Sequence, residues 1–162
     1  MNAYTIATTS GCVIAQVSKI DISTTGKPTF AACMNGLSAF MGHAQTQAVK
    51  RAAKGEEKQF FFDKVAELHR TIQAMPRTYE QDGMEDEAVA YLHYFKDGAD
   101  WYITEKDMDG DGTEQAFGLA DLYGDGGELG YISIRELVRI GAQLDFHFKP
   151  QAIGALSEGA AA

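Results

Sequence analysis

The sequence predicts an α+β fold, an antiparallel β meander with two to three helices packed against it in a single compact domain, and three observations point there. Phe61, Val65, Leu68, Ile72 and Met75 are spaced by four, three, four and three residues, which puts all five on one stripe of a helix. Short apolar runs between residues 89 and 132 are punctuated by Lys96-Asp97-Gly98-Ala99-Asp100, Asp109-Gly110-Asp111-Gly112 and Gly124-Asp125-Gly126-Gly127, as in strands that reverse on tight turns. Ser133 and Glu136 have the spacing of a capping box, which opens one more helix.

In chain order, Tyr4, Ile6 and Thr8 alternate toward a turn at Ser10-Gly11, and residues 12–22 are rich in Val and Ile, so a strand hairpin is expected at the start. A second turn at residues 24–28 precedes a further strand over 30–34, which Asn35-Gly36 ends. Residues 37–54, rich in Ala and Gln, read as helix, with Gly55 as the stop. The striped helix begins near Glu56, with Glu56 and Glu57 in a first turn where the macrodipole favours negative charge, and Pro76 stops it. An acidic connector at 82–87 leads to 89–95, where large residues alternate on both faces, so both faces are expected to be covered. Strands follow at 101–104, 116–122 and 129–132. The capped helix carries Ile134, Leu137 and Val138 and ends at Gly141, and 144–148 alternates as a last strand. Residues 1–150 are thus expected as one domain, a hairpin plus helices over 1–75 and an acidic meander over 76–150. Residues 151–162, mostly Ala and Gly, are expected to form a flexible tail.

Composition narrows the classes. With 162 residues, 45% of them hydrophobic, the chain can fill one core. No apolar run approaches the roughly 18 residues that span a bilayer, and no basic and apolar leader opens the sequence, so a cytoplasmic protein without membrane contact is expected. Cys12 and Cys33 are too few for a disulfide scaffold and read as small buried hydrophobes in a reducing compartment. Residues 1–75 hold eight Lys and Arg against five Asp and Glu, a net +3, whereas 76–162 hold six against eighteen, a net −12. The acidic half is unsuited to gripping a phosphate backbone, and a basic protein surface suits it.

The second half also carries an ordered series of motifs: Tyr94-Phe95, Trp101-Tyr102-Ile103-Thr104-Glu105-x-Asp107, Ala116-Phe117-Gly118-Leu119, Glu128-Leu129-Gly130-Tyr131 and Ser133-x-x-Glu136-Leu137. Over residues 76–150 it resembles the bacterial mobile-element domain of unknown function 2958 family, and the match ends near Asp145-Phe146-His147-Phe148. The resemblance implies a small accessory protein of a phage, plasmid or integrated element, of the kind encoded beside antirestriction genes. Residues 107–112 depart from the family pattern in being more acidic and richer in Gly than a simple Asp-Pro turn.

Four constellations bear on chemistry. Asp107, Asp109, Asp111 and Gly112 copy the first half of a calcium loop, but Gly118 stands where the bidentate Glu belongs, so the reading is a turn, with a weak cation site borrowing Asp121 or Asp125 as the alternative. His43, His69, His93 and His147 are scattered, without metal-ligand spacing. Glu105 and Glu128 form a carboxylate pair for acid–base chemistry if the strands bring them together. Lys50, Arg51, Lys54 and Lys58 read as a solvated face, with nucleic-acid contact as the alternative.

The expected function is non-catalytic. Asp107, Asp109, Asp111, Glu114, Asp121 and Asp125, on turns at one end of the sheet, present carboxylates to a basic site on a host defence protein of restriction or CRISPR type, or on a DNA-handling, nucleic-acid-binding protein. No cofactor is expected. The alternative is a small enzyme using Glu105 and Glu128, with His93 or His147, in a pocket between the meander and the Phe61 helix.

Overall fold

The computed structural model describes residues 27–159. The hairpin expected over 1–22 lies outside them. Three helices come first: α1 (Phe30–Gly36), α2 (His43–Ala52) and α3 (Lys58–Ala74). The strand expected over 30–34 is a helix instead. The Thr29 hydroxyl caps it by accepting the Ala32 N–H at 3.2 Å, and its Cys33 and Met34 are buried in the core, with Phe30 stacked on Phe62 of α3 at 4.5 Å. Packing against α3 thus outweighs the weak strand preference of five residues. The helix expected over 37–54 is confined to α2, because the chain turns through 37–42 and Gly42 takes the N-cap.

The α3 stripe is as predicted. Val65, Leu68, Ile72 and Met75 are buried and Phe61 packs partly against the same core. Met75 turns to extended backbone ahead of Pro76, which cannot continue a helix.

After a single 3-10 turn at Glu85–Glu87 come β1 (Val89–Ala90), β2 (Leu92–Lys96), β3 (Ala99–Glu105), β4 (Ala116–Asp121), β5 (Glu128–Ile132), α4 (Ile134–Ile140), β6 (Gln143–Leu144), β7 (Gln151–Ala152) and α5 (Ile153–Gly159). The main sheet is antiparallel with the order β5-β4-β3-β2-β6. The fold class is therefore the predicted one, α+β with a meander. The run 89–95 is not one strand: it breaks at Tyr91, so β1 leaves the meander and pairs with β7. Asp97 and Gly98, with φ of 52° and 88°, form a two-residue reversal between β2 and β3, shorter than the five-residue loop expected.

One sheet face is covered by the helices and the other only in part, with Phe95, Leu129 and Tyr131 exposed on it. Leu92, Tyr94, Ile103, Ala116 and Leu144 pack against α1–α4 in the main core, with Trp101 half-buried beside them. On the far face Leu119 joins Ala88, Ala90 and Ile153, with Tyr102, Phe148 and Leu156 around them. Gly118 is required at the β3–β4 crossing, where an added Cβ would lie 2.1 Å from the Tyr102 carbonyl oxygen.

The capping box holds on its Ser side, Ser133 Oγ accepting the Glu136 N–H at 3.2 Å, and Gly141 ends α4 at φ 87°. The last strand is shorter than expected. Only Gln143–Leu144 pairs with β2, because Asp145 folds its carboxylate onto the His147 N–H at 2.7 Å and turns the chain away. Residues 151–159, expected as part of a tail, contain β7 and α5, with Ile153 buried. Among the described residues no helix is long and apolar enough to cross a membrane.

Candidate functional site

One register shift builds the site. Ile103 of β3 pairs with Gly118, but Glu105 pairs with the next residue, Phe117, so a bulge lies at Thr104. Opposed residues in an antiparallel ladder share a face and successive ones alternate. Without the bulge Glu105 would follow Ile103 into the apolar core, where an ionised carboxylate is costly. With it, Glu105 lies on the far face with Phe117 and Tyr131, which pair across β4 and β5.

The loop after α3 closes over this carboxylate. Thr78 anchors the loop: its N–H donates to the Lys106 carbonyl at 2.8 Å and its hydroxyl to the Gln115 carbonyl at 2.9 Å. Tyr79 takes φ 79°, and its N–H donates to Glu105 Oε2 at 3.0 Å while the Gln81 N–H donates to Oε1. The Gln81 side chain fixes the loop from below, donating to the Val89 and Thr104 carbonyls at 3.0 Å and accepting the Val89 N–H at 2.8 Å. Glu105 is thereby 3% exposed with both oxygens satisfied by backbone donors, and the local strain at Tyr79 is offset by this clamp.

Beside the carboxylate lies a cavity of about 360 Å³. Phe117, Leu129 and Tyr131 wall it on the sheet side, and Tyr79, Asp82 and Glu85 on the loop side. The Tyr79 and Tyr131 hydroxyls bridge at 2.8 Å, and both rings are largely exposed. Among the described residues no Lys, Arg or His lines it. The Tyr131 phenol is pushed up by its hydrogen bond to Tyr79, then by desolvation, then by negative charge that includes Glu105 and Asp82. The mouth thus combines aromatic faces with a negative field.

Glu105 is the one predicted site residue that lies here. Glu128 pairs with Ala120, on the opposite face and two strands away, roughly 14 Å from Glu105 between backbones. The expected carboxylate pair is not assembled. His93 is also elsewhere: it bonds Asp100 at 2.7 Å and Asp145 at 3.2 Å and stacks on Tyr102 at 4.6 Å, while His147 lies against Phe60 of α3. A single pocket between the meander and α3 does not unite these groups, because the bulge turns Glu105 away from α3.

The acidic turns do not share one end of the sheet. Asp107, Asp109, Asp111 and Glu114 lie in the β3–β4 connection, and Asp121 and Asp125 at the β4–β5 turn. Consecutive turns of a meander fall at opposite ends, here separated by the roughly 17 Å length of β4. Much of the charge is used locally. Asp107 accepts the N–H groups of Asp109 at 3.1 Å and Gln115 at 2.9 Å, which hold its pKa below the ordinary value. Asp111 accepts the Thr113 N–H at 3.2 Å and hydroxyl at 2.5 Å, and Arg135 pairs with Glu114 at 2.5 Å and Asp111 at 3.6 Å. Asp121 gathers the N–H groups of Tyr123, Gly124 and Asp125; desolvation works against it, yet these donors hold its pKa down. Among the described residues no group of three or more His, Cys, Asp or Glu is placed to hold a metal ion.

Sequence reasoning missed Tyr79, Gln81, Asp82, Glu85 and Tyr131. The available signal was Glu105 itself, a charge at the end of the strand-forming run 101–104, which needs either a partner or a bulge. The model of a family described as protein of unknown function (DUF2958) matches residues 64–152, which include the whole of this cavity. No curated protein and no solved structure matches the chain.

Proposed function

We propose that this chain, which belongs to the DUF2958 family of proteins of unknown function, is a non-catalytic accessory protein that captures a basic segment of a protein partner, a Lys or Arg side chain entering the cavity beside Glu105. The observation that carries this reading is the cavity wall: Glu105, Asp82 and Glu85 with Tyr79, Phe117 and Tyr131, and no cation among them. An Arg guanidinium lies over aromatic faces and pairs with carboxylates in one pose, and both interactions strengthen where water is excluded. Glu128, the partner expected for Glu105 in acid–base chemistry, lies on the opposite face of the sheet, which favours binding over catalysis by that pair.

The neighbouring edge supports an extended ligand. β5 is the outer strand of the sheet, it holds neither Lys nor Pro, its one charge is Glu128 at the strand's start, and its ladder with β4 has no bulge, so among the described residues its free side stays open beyond Glu128. Leu129 and Tyr131 on it are exposed and also wall the cavity. A partner segment adding along β5 would direct alternate side chains to this face. The setting implied by the family resemblance, a phage, plasmid or integrated element, makes a host defence protein of restriction or CRISPR type, or a DNA-handling protein, the partner class, acting in the cytoplasm.

The test is titration of the full chain with capped pentapeptides that differ only at a central Arg, Lys or Gln. Arg is expected to bind best and Gln not measurably, with affinity falling as salt shortens the Debye length from about 10 Å at 0.1 M to about 3 Å at 1 M. Tyr131→Ala with Asp82→Asn should weaken Arg binding while preserving the fold, since both side chains are exposed. Equal binding of Arg and Gln peptides would remove the proposal.

A further inference from the structure

A second cavity lies between α1, α2 and α3, outside the residues that the family model matches. Its volume is about 690 Å³, within the range of small-ligand sites. Lys50, Arg51, Lys54 and Lys58 all line it, and no carboxylate does among the described residues. None of the four lies within ion-pair distance of a described Asp or Glu. Lys50 and Arg51 occupy the last turn of α2, where they also complement the helix dipole, but that role does not require Lys58 of α3 to converge on the same space. Beside Lys58 on α3 lies an aromatic pair: Phe30 stacks on Phe62 at 4.5 Å with an interplanar angle of 21°, and Lys58 Nζ sits 5.4 Å from the Phe62 ring centre.

The geometry points to a nucleotide site, in which the four cations hold phosphate and the face of Phe30 that is not stacked on Phe62 receives the flat base. Converging Lys and Arg side chains neutralise a multiply charged anion, and aromatic faces accept any base by stacking. A concave site of this size admits one nucleotide unit, whereas duplex recognition needs a charged track spanning successive phosphates. The ligand is either a free nucleotide or one unit of a single strand. The helical solvated face expected from the four charges thereby becomes a lined cavity once α3 brings Lys58 and Phe62 across from α2.

Calorimetric titration of the full chain with ATP, inorganic triphosphate, adenosine and a single-stranded oligonucleotide of about ten units tests the site. ATP is expected to bind about tenfold or more tightly than either triphosphate or adenosine, and Lys50→Gln with Lys54→Gln to lower its affinity by about tenfold or more. Both side chains are exposed, so an unchanged melting curve is expected for the double variant. An oligonucleotide that outcompetes ATP assigns the site to a single strand, and one that binds no better assigns it to a free nucleotide; either result supports it. Triphosphate binding as tightly as ATP would overturn the nucleotide assignment, and so would ATP binding that the double variant leaves unchanged. Absence of binding by all four probes would overturn it as well. The Arg-peptide titration is independent of these residues and keeps failure of this site distinct from failure of the Glu105 cavity.

Discussion

The helical layer over residues 30–74 and the meander beyond it share one apolar core, yet their surfaces are opposites. The first presents a cavity with four cations and no carboxylate; the second presents one with three carboxylates and no cation, among the described residues. The meander lies inside the family match and the basic cavity outside it. The +3 and −12 halves of the chain thus each contain a cavity whose charged lining is of one sign among the described residues. Solubility needs only scattered charge, whereas a cavity lined by one sign focuses the field on a ligand of the other.

The shared core joins the two regions mechanically, and the largest expected effect tests that joint. Leu68 of α3 is buried in the core shared with β2, β3 and α4. Leu68→Ala should lower stability by about 2 to 5 kcal/mol, measured by urea unfolding, and calorimetry should give one transition before and after. Two separate transitions would split the regions into independent units.

A smaller effect is expected at the polar stitch between them. Gln45 of α2 donates to the Leu144 carbonyl at 2.6 Å and accepts the Leu144 N–H at 3.1 Å, which terminates β6 at the sheet edge. Gln45→Ala leaves both backbone groups without that partner and should cost about 1 to 3 kcal/mol in the same unfolding assay. A negligible loss would mean that packing alone aligns α2 with the sheet.

The smallest effect concerns the meander's far face. Burial works to raise the pKa of Asp145, but the His147 N–H and the hydrogen bond and charge of His93 outweigh it, so the carboxyl lies below its ordinary value. A depressed carboxyl contributes stability that is present above the unfolded-state pKa and lost as pH falls through the folded one. Asp145→Asn should therefore lower the melting temperature slightly near neutrality and remove part of the acid limb below the ordinary carboxyl range. Identical acid limbs in the two proteins would show that the Asp145 carboxylate gains nothing from the His147 N–H and His93.

How far the sequence discloses this arrangement depends on the length of each signal. The α3 stripe extends over fifteen residues from Phe61 to Met75 and was legible, as were the Asp97-Gly98 and Gly124–Gly127 reversals, because periodicity and turn chemistry are local. The segment 30–34 is ambiguous in sequence because five apolar residues fit a helix or a strand equally, and the Thr29 cap and α3 decide for the helix. The site was hardest. One extra residue at Thr104 reverses the face on which Glu105 stands, and no composition or period records a bulge. The same limit applied to Glu128 and to the acidic turns, whose separation is set by strand pairing and not by sequence distance.

Entry of a basic side chain into the Glu105 cavity is best followed through the backbone amide resonances of the full chain during titration with the capped Arg pentapeptide. The Tyr79 and Gln81 amides donate to Glu105 itself and should shift most, with Leu129 and Tyr131 of β5 next and the β4–β5 turn around Asp125 little. Saturating shifts at Tyr79 and Gln81 that vanish with the Gln pentapeptide are the predicted result. Shifts confined to the acidic turns at 107–114 and 121–125, with Tyr79 and Gln81 unmoved, would contradict it.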